Sequence, residues 1–396
     1  MTADLVLPPV RAVGPAAAPV MLAAGGTGGH LFPAEALARE LLARSQPVVL
    51  VTDRRGPAFG RMLPAVPVHR VHAATLEPGL VGRLRTVALL GAGLFEALGV
   101  IRRLNPAVVV GFGGYPSLPT VAAARLAGVP VVLHEQNAVL GRANRWMARG
   151  VYRLATSFPV VAGLPRSCRD VTVRTGNPVR PGIAAVRDVF YAPPGEDGPI
   201  RLLVLGGSQG ARVFSEVVPA ALALLPAGLR ARLVVAQQCR PEDLDRVSLA
   251  YDRLGVGAVE LSSFFHDVPA RLVGAHLVMC RAGASTMAEL MAVGRPAILV
   301  PYPHATDDHQ SANARALAQA GGAWAMAQPD FTPDRLARRL EDLFRQPADL
   351  ALAAAVARGW GAPDAAQRLA DTVIEVAHGP GSRANRQHRN FWEAAE

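Results

Sequence analysis

Short runs of consecutive apolar residues alternate along this chain with longer stretches whose apolar side chains recur every three or four positions. The runs at 20–24, 48–51, 107–110, 131–133, 202–205, 233–236, 277–279 and 297–300 are apolar throughout or nearly so, as strands covered on both faces are. The stretches between them read as crossover helices, and the alternation predicts an α/β chain with doubly wound parallel sheets. Turn signals at Gly176-Asn177-Pro178, ahead of Arg180, and in the Pro- and Gly-rich stretch 191–198 put a break between two halves. The division that follows is a first domain at 1–178, a second at 179–360, a helix at 363–378 and a polar, basic tail at 379–396, read as a mobile end. Uncharged runs at 12–34 and 104–124 are long enough to raise the question of a membrane span. Pro15, Pro19 and the Gly25 loop interrupt the first, and Pro106, Gly111, Gly113, Gly114, Pro116 and Pro119 the second, so no spanning segment is expected. A signal peptide is disfavoured, because its apolar core would be consumed by the first strand and loop.

Two glycine-rich loops repeat one plan. Gly25-Gly26-Thr27-Gly28-Gly29-His30 follows the strand at 20–24 and leads to a helix expected to begin at Phe32-Pro33 and to run through Leu37, Leu41 and Leu42. Gly206-Gly207-Ser208-Gln209-Gly210-Ala211 follows the strand at 202–205 and opens a helix striped with Val213, Val217, Val218 and Ala221. Glycine lets the backbone approach a ligand closely, and the N–H groups at a helix start favour anionic oxygen. One such loop in each half suggests a ligand gripped between the halves.

Composition narrows the chemistry. All 41 basic residues are arginine. A P-loop, a pyridoxal Schiff base and a kinase strand lysine each require an ammonium and are excluded. The arginines are scattered and aromatics make up only 5% of the chain, which argues against a nucleic-acid surface. A net charge of +10 favours a phosphorylated substrate or an anionic membrane surface. Cys168, Cys239 and Cys280 are odd in number and lack Cys-x-x-Cys spacing, so they read as buried thiols in a reducing compartment.

Further polar groups stand where strands end, which is where open α/β sheets bind ligands. Gly111-Phe112-Gly113-Gly114-Tyr115-Pro116-Ser117 and His134-Glu135-Gln136-Asn137 belong to the crevice that holds His30. In the second half the stretch from Arg281 to Glu289 leaves small residues at a helix start. Glu289 there suits paired sugar hydroxyls, or it merely complements the helix dipole. Thr306-Asp307-Asp308-His309-Gln310 with Asn313 leads into another helix, where aspartate also serves as a cap. His309 has no second histidine at helical spacing, so no metal site is expected.

The ordered segments GGTGGHLFPA, GFGGYPS, PVVLHEQNAVLGRAN, TGNPVR, GGSQGA, CRAGASTMAE and DDHQSANA span residues 25 to 314. Together they resemble the bacterial peptidoglycan glycosyltransferases that add N-acetylglucosamine to undecaprenyl-pyrophosphoryl-N-acetylmuramoyl pentapeptide, converting lipid I into lipid II. The resemblance implies the GT-B fold, two Rossmann-like domains facing across a cleft, with the helix at 363–378 crossing back onto the first. It implies that Thr27, Gly28, Gly29, Asn137, Arg180 and Ser208 contact UDP-GlcNAc, and that the Phe265 backbone reads the uracil. Ala284, Ser285, Thr286, Met287, Ala288 and Glu289 would line the nucleotide, with Glu289 on the ribose, and Gln310 would hold the sugar. Phe265 and His309 depart from the smaller aliphatic and the second glutamine of some relatives. The implied partners are UDP-GlcNAc, lipid I, an anionic membrane surface and the cell-wall or division machinery, with no nucleic acid and no cofactor, at the cytoplasmic face of the inner membrane.

The reaction needs a base for the attacking sugar hydroxyl and stabilisation for the departing UDP. His30 is the first choice of base and Glu135 the rival, while a bland reading keeps His30 as a histidine held only structurally by its loop. The Gly206 loop and Arg180 would stabilise the diphosphate, and single displacement would invert the anomeric centre to a β-1,4 link. Apolar and arginine residues mix over 80–90, and Leu80, Leu84 and Val87 read either as an interfacial membrane patch or as part of an ordinary core-facing helix. A nicotinamide oxidoreductase is the main competitor, since Gly26 and Gly28 with Asp53 imitate a dinucleotide fingerprint, but Leu31 stands where the third glycine belongs. A non-catalytic sugar-nucleotide binder and a glycolipid galactosyltransferase would both share the fold, and the HEQN and DDHQSANA segments weigh against the galactosyltransferase.

Overall fold

The computed structural model describes residues 18–25, 28–54, 63–75, 79–207 and 210–379. Two wholly parallel sheets carry the chain. The first has seven strands: β1 Val20–Ala23, β2 Val48–Asp53, β3 Val68–Val71, β4 Val108–Gly111, β5 Val131–Glu135, β6 Arg153–Thr156 and β7 Thr172–Arg174, in the order β3-β2-β1-β4-β5-β6-β7. The second has six: β8 Ile200–Leu205, β9 Leu233–Gln238, β10 Ala258–Ser262, β11 Leu277–Cys280, β12 Ala297–Leu299 and β13 Trp324–Ala325, in the order β10-β9-β8-β11-β12-β13. In each sheet the winding reverses beside the strand that precedes a glycine-rich loop, which opens a crevice at the carboxyl ends of the strands.

Apart from β6, the interior strands coincide with the apolar runs of the sequence. The strands the runs do not reveal lie at or next to sheet edges. β3 reads Val-His-Arg-Val and is only partly covered, and β10 is exposed over most of its length, so neither needs an unbroken apolar run. The first crossover helix begins at Gly28, not at Phe32, and encloses Pro33. Leu31, Ala34, Leu37, Ala38 and Leu41 are buried along it, and this stripe carries the helix back through two residues of poor intrinsic propensity. His30 therefore stands in a first helical turn.

The chain crosses between the sheets at 175–180 and returns at 361–364, and the two crossings touch. Gly176 has φ +86°, and a Cβ there would lie 2.4 Å from the Ala362 Cβ. Helix Ala365–His378 then packs on the first sheet's side of the molecule. Leu369, Ala370, Val373, Val376 and Ala377 join the core formed by Val20, Leu37 and Leu41, and Arg44–Asp371 and Arg153–Glu375 ion pairs flank it.

Helix Leu80–Leu104 corrects one expectation. It runs well past the 80–90 stretch and, among the described residues, is the one helix long and apolar enough by length and composition to cross a membrane. Its Thr86, Gly93, Ala97 and Ile101 are buried, and a Cβ on Gly93 would overlap the His72 carbonyl oxygen, so one face lies against the domain. Leu80, Val81, Leu84, Val87 and Phe95 are all exposed on it.

Candidate active site

A cavity of about 520 Å³ opens between the two sheets at the carboxyl end of β1. Gly25, His30, Gly114, Glu135, Asn137 and Arg142 line it from the first half, and Thr306, Asp307 and His309 from the second. His30 Nδ1 lies 2.9 Å from the Phe112 carbonyl oxygen. A carbonyl only accepts, so Nδ1 carries the proton and Nε2 keeps its lone pair. Gly114 leaves room for that nitrogen: it sits at φ +72°, and a Cβ there would come within 3.4 Å of Nε2. Burial lowers the His30 pKa, against opposing pulls from the Glu135 charge and from the Phe112 and Gln136 hydrogen bonds, while His309 adds to the lowering. A neutral imidazole at pH 7 follows.

Glu135, the last residue of β5, is buried and surrounded by donors. Its Oε1 accepts from the Asn137 backbone N–H at 3.0 Å and from Asn137 Nδ2 at 3.2 Å. Its Oε2 accepts from the Gly141 N–H at 2.9 Å and from Asn144 Nδ2 at 2.8 Å. The carboxylate thus ties the loop after β5 to helix Arg142–Met147. Asn137 is also held from across the cleft. Asn313, fully buried, donates to Asn137 Oδ1 at 3.1 Å and to the Ala282 carbonyl at 3.0 Å, and accepts from the Ala138 N–H at 2.8 Å. Nearby, Arg142 Nε meets both carboxylate oxygens of Asp307, at 2.8 and 3.1 Å, so an ion pair bridges the rim of the cavity.

On the second half, Arg180 and Glu289 form a bidentate pair, with Nε to Oε1 at 2.8 Å and Nη2 to Oε2 at 3.0 Å. The sequence points each of them at a nucleotide, and in this state each meets the other. Glu289 belongs to helix Ala284–Val293, in which Ala284, Ser285 and Thr286 are partly exposed whereas Met287 and Ala288 turn into the core. Those two can reach a ligand only through their backbone. The buried Ser285 hydroxyl has no protein partner. Phe265 is buried under the Arg271 guanidinium, 3.9 Å from its ring centre. Gln310 Oε1 accepts from the Tyr302 N–H at 2.9 Å. In the second glycine-rich loop the Gly206 N–H donates to Gln238 Oε1 at 3.1 Å, so that donor is already engaged. Gly28 and Gly29 form the start of the first helix, and Thr27 and Ser208 lie outside the described residues. Among the described residues no group of three or more His, Cys, Asp or Glu side chains converges as a metal site.

Residues 20–156 match the model of the glycosyltransferase family 28 N-terminal domain, and 201–369 that of the family's C-terminal domain. The chain belongs to glycosyltransferase family 28. A relative from Rhodospirillum centenum named UDP-N-acetylglucosamine–N-acetylmuramyl-(pentapeptide) pyrophosphoryl-undecaprenol N-acetylglucosamine transferase is 59% identical over 91% of this chain and 95% of its own. The protein of the same name from Paramagnetospirillum magneticum is 56% identical over 90% and 96%. The crystal structure of MurG from Acinetobacter baumannii is similar at 30% identity with a TM-score of 0.75, covering 90% of this chain and 99% of that one. The glycosyltransferase of kitacinnamycin, 18% identical with a TM-score of 0.65, shares the fold.

Within this family 28 chain, sequence reasoning missed Arg142 and Asn144 and left Asp307 and Asn313 as elements of polar loops. Asn144 was legible in principle, as a polar residue soon after an apolar strand. Arg142, Asp307 and Asn313 owe their place to partners more than 160 residues away, and no local pattern carries that.

Proposed function

We propose that this chain transfers N-acetylglucosamine from UDP-GlcNAc to the C4 hydroxyl of the N-acetylmuramoyl residue in undecaprenyl-pyrophosphate-linked lipid I, forming lipid II by a β-1,4 link. The observation that carries the chemistry is His30, a neutral imidazole that lines the cavity between the sheets and carries its proton on Nδ1, which leaves Nε2 with its lone pair. The acceptor oxygen attacks the anomeric carbon and gives its proton to Nε2. The bond from that carbon to the diphosphate breaks, and its electron pair leaves with UDP. Attack from the face opposite the leaving group inverts the centre.

In this reading Thr27, Gly28 and Gly29 with Asn137 bound the donor from the first half. Arg180, Ser208, Phe265, the run from Ala284 to Glu289 and Gln310 hold it from the second. The Arg180–Glu289 pair exchanges partners on binding: Glu289 turns to the ribose hydroxyls, and Arg180, released, meets diphosphate oxygens. A guanidinium and a carboxylate held together before the ligand arrives stay aligned, which reduces the ordering cost of capture. Glu135 is read as the carboxylate that sets the shape of the Asn137 loop, and His30 as the base.

Labelled N-acetylglucosamine supplied as UDP-GlcNAc is expected to appear in a disaccharide lipid when a lipid I analogue is the acceptor. UDP-glucose is expected to give far less product. Absence of product with UDP still bound would sink the acceptor assignment and keep the nucleotide site.

The lipid acceptor calls for a membrane-facing surface, and helix Leu80–Leu104 supplies one. Leu80, Val81, Leu84, Val87 and Phe95 stand out of it beside the exposed Arg83 and Arg85, the pairing that binds anionic interfaces. Each buried methylene is worth about 0.8 kcal/mol at such a surface. Leu84→Ala with Val87→Ala is therefore expected to weaken sedimentation with anionic vesicles about tenfold or more, with UDP binding unchanged. Unaltered sedimentation would refute the membrane assignment of this face.

A further inference from the structure

Gln136 follows Glu135 directly and faces another way. It is buried, and its Nε2 lies 2.9 Å from the Phe112 carbonyl oxygen, 3.0 Å from His134 Nδ1 and 3.2 Å from the His134 carbonyl oxygen. Two of these neighbours can only accept, so the amide's NH₂ end is the one that points there. The Phe112 carbonyl is also the acceptor for His30 Nδ1. On the far side, His134 Nε2 meets the Gly176 carbonyl oxygen at 3.0 Å, which puts the His134 proton on Nε2 and leaves Nδ1 to accept from Gln136. Burial pushes the His134 pKa down to about 4, so the ring stays neutral and its two nitrogens keep these roles. A single line of hydrogen bonds thus runs from Gly176, at the crossing between the sheets, through His134 and Gln136 to the Phe112 carbonyl and His30.

The Phe112 carbonyl would not hold this direction unaided. The peptide it belongs to is followed by Gly113 at φ +83° and Gly114 at φ +72°. A peptide leading into glycine turns over at little steric cost. A flipped carbonyl would take away the acceptor that His30 Nδ1 meets, and the preference for a proton on that nitrogen would weaken.

We infer that Gln136 is a positioning residue for the transfer reaction: by pinning the Phe112 carbonyl it holds His30 in the tautomer that leaves Nε2 unprotonated. The inference rests on His30 being the base. Gln136 acts on His30 through the Phe112 acceptor they share and through its own side-chain hydrogen bond to the ring.

The test uses the full-length protein labelled with ¹⁵N-histidine and a Gln136→Met variant, which keeps the volume and removes both donors. Wild-type ¹⁵N spectra, assigned for His30 by comparison with His30→Ala, are expected to show Nδ1 protonated and Nε2 unprotonated. In Gln136→Met the His30 signals are expected to move toward a mixture of tautomers. In the transfer assay kcat is expected to fall about 10- to 100-fold, with KM for UDP-GlcNAc within about twofold of wild type. A wild-type His30 protonated on Nε2 overturns the proposal whether or not the variant folds. So does a folded Gln136→Met with unchanged tautomer signals and unchanged kcat. Full turnover by His30→Ala, with the tautomer spectra as expected, would instead overturn the assignment of His30 as base and leave the hydrogen-bond line as architecture.

Discussion

His30→Ala is expected to lower kcat by about 10² to 10⁴-fold, the usual contribution of a placed general base, while UDP-GlcNAc still binds. The donor contacts proposed here lie on Thr27, Gly28, Gly29 and Asn137 and on the second half, none of them on the imidazole, so removing it spares most of them. A pH profile makes the assignment sharper. The base is active when unprotonated, so activity rises with pH through the His30 pKa. Burial sets that pKa below histidine's ordinary ~6.5, and the acid limb of kcat/KM for the wild type is therefore expected below pH 6.5. The same limb is expected to vanish in His30→Ala, whose residual rate depends on solvent hydroxide and on the remaining transition-state contacts. A variant with wild-type kcat, or a wild-type acid limb well above pH 6.5, would remove His30 from the chemistry.

Much of the architecture was legible in the sequence, for a physical reason. An interior parallel strand covered on both faces is apolar residue after residue, as in β1, β4 and β11, and glycine-rich turns after such strands are hard to mistake. β3 and β10 escape because a sheet edge does not impose the same demand, and β13 because two residues make no pattern. The start of the first helix is misplaced by local propensity, which speaks against Gly28 and Gly29, while packing of Leu31 and Ala34 decides the matter. At the site, residue type and position after a strand were enough to single out His30, Glu135, Asn137 and Glu289. Partnership was not. Nothing local says that Glu289 faces Arg180, that Asn313 spans to Asn137, or that four donors close around Glu135. Those facts depend on crossing connections that bring distant segments together, and they change the roles the residues can play.

Glu135 is where that difference has its largest consequence. Glu135→Ala leaves the N–H groups of Asn137 and Gly141 without their acceptor and takes one of two acceptors from the Asn144 amide, which keeps the His134 carbonyl. Each donor stranded in a buried setting costs about 1–3 kcal/mol, partly relieved by water from the adjoining cavity, so a loss of about 3 kcal/mol or more is expected. For a domain of this size that corresponds to a fall in Tm of roughly 6–12 °C. Glu135→Gln is the more informative variant. Its single carbonyl oxygen can serve only one of the two donor pairs, and its NH₂ group must confront the other, donor against donor. It is therefore expected to lose nearly as much stability as Glu135→Ala and to disturb Asn137, raising KM for UDP-GlcNAc along with a fall in kcat. A carboxylate whose task is to take a proton behaves otherwise: its amide replacement folds as well as the native protein and loses kcat alone. Thermal unfolding and steady-state kinetics on Glu135→Gln separate the two cases, and a native Tm with selectively reduced kcat would return Glu135 to the role of base.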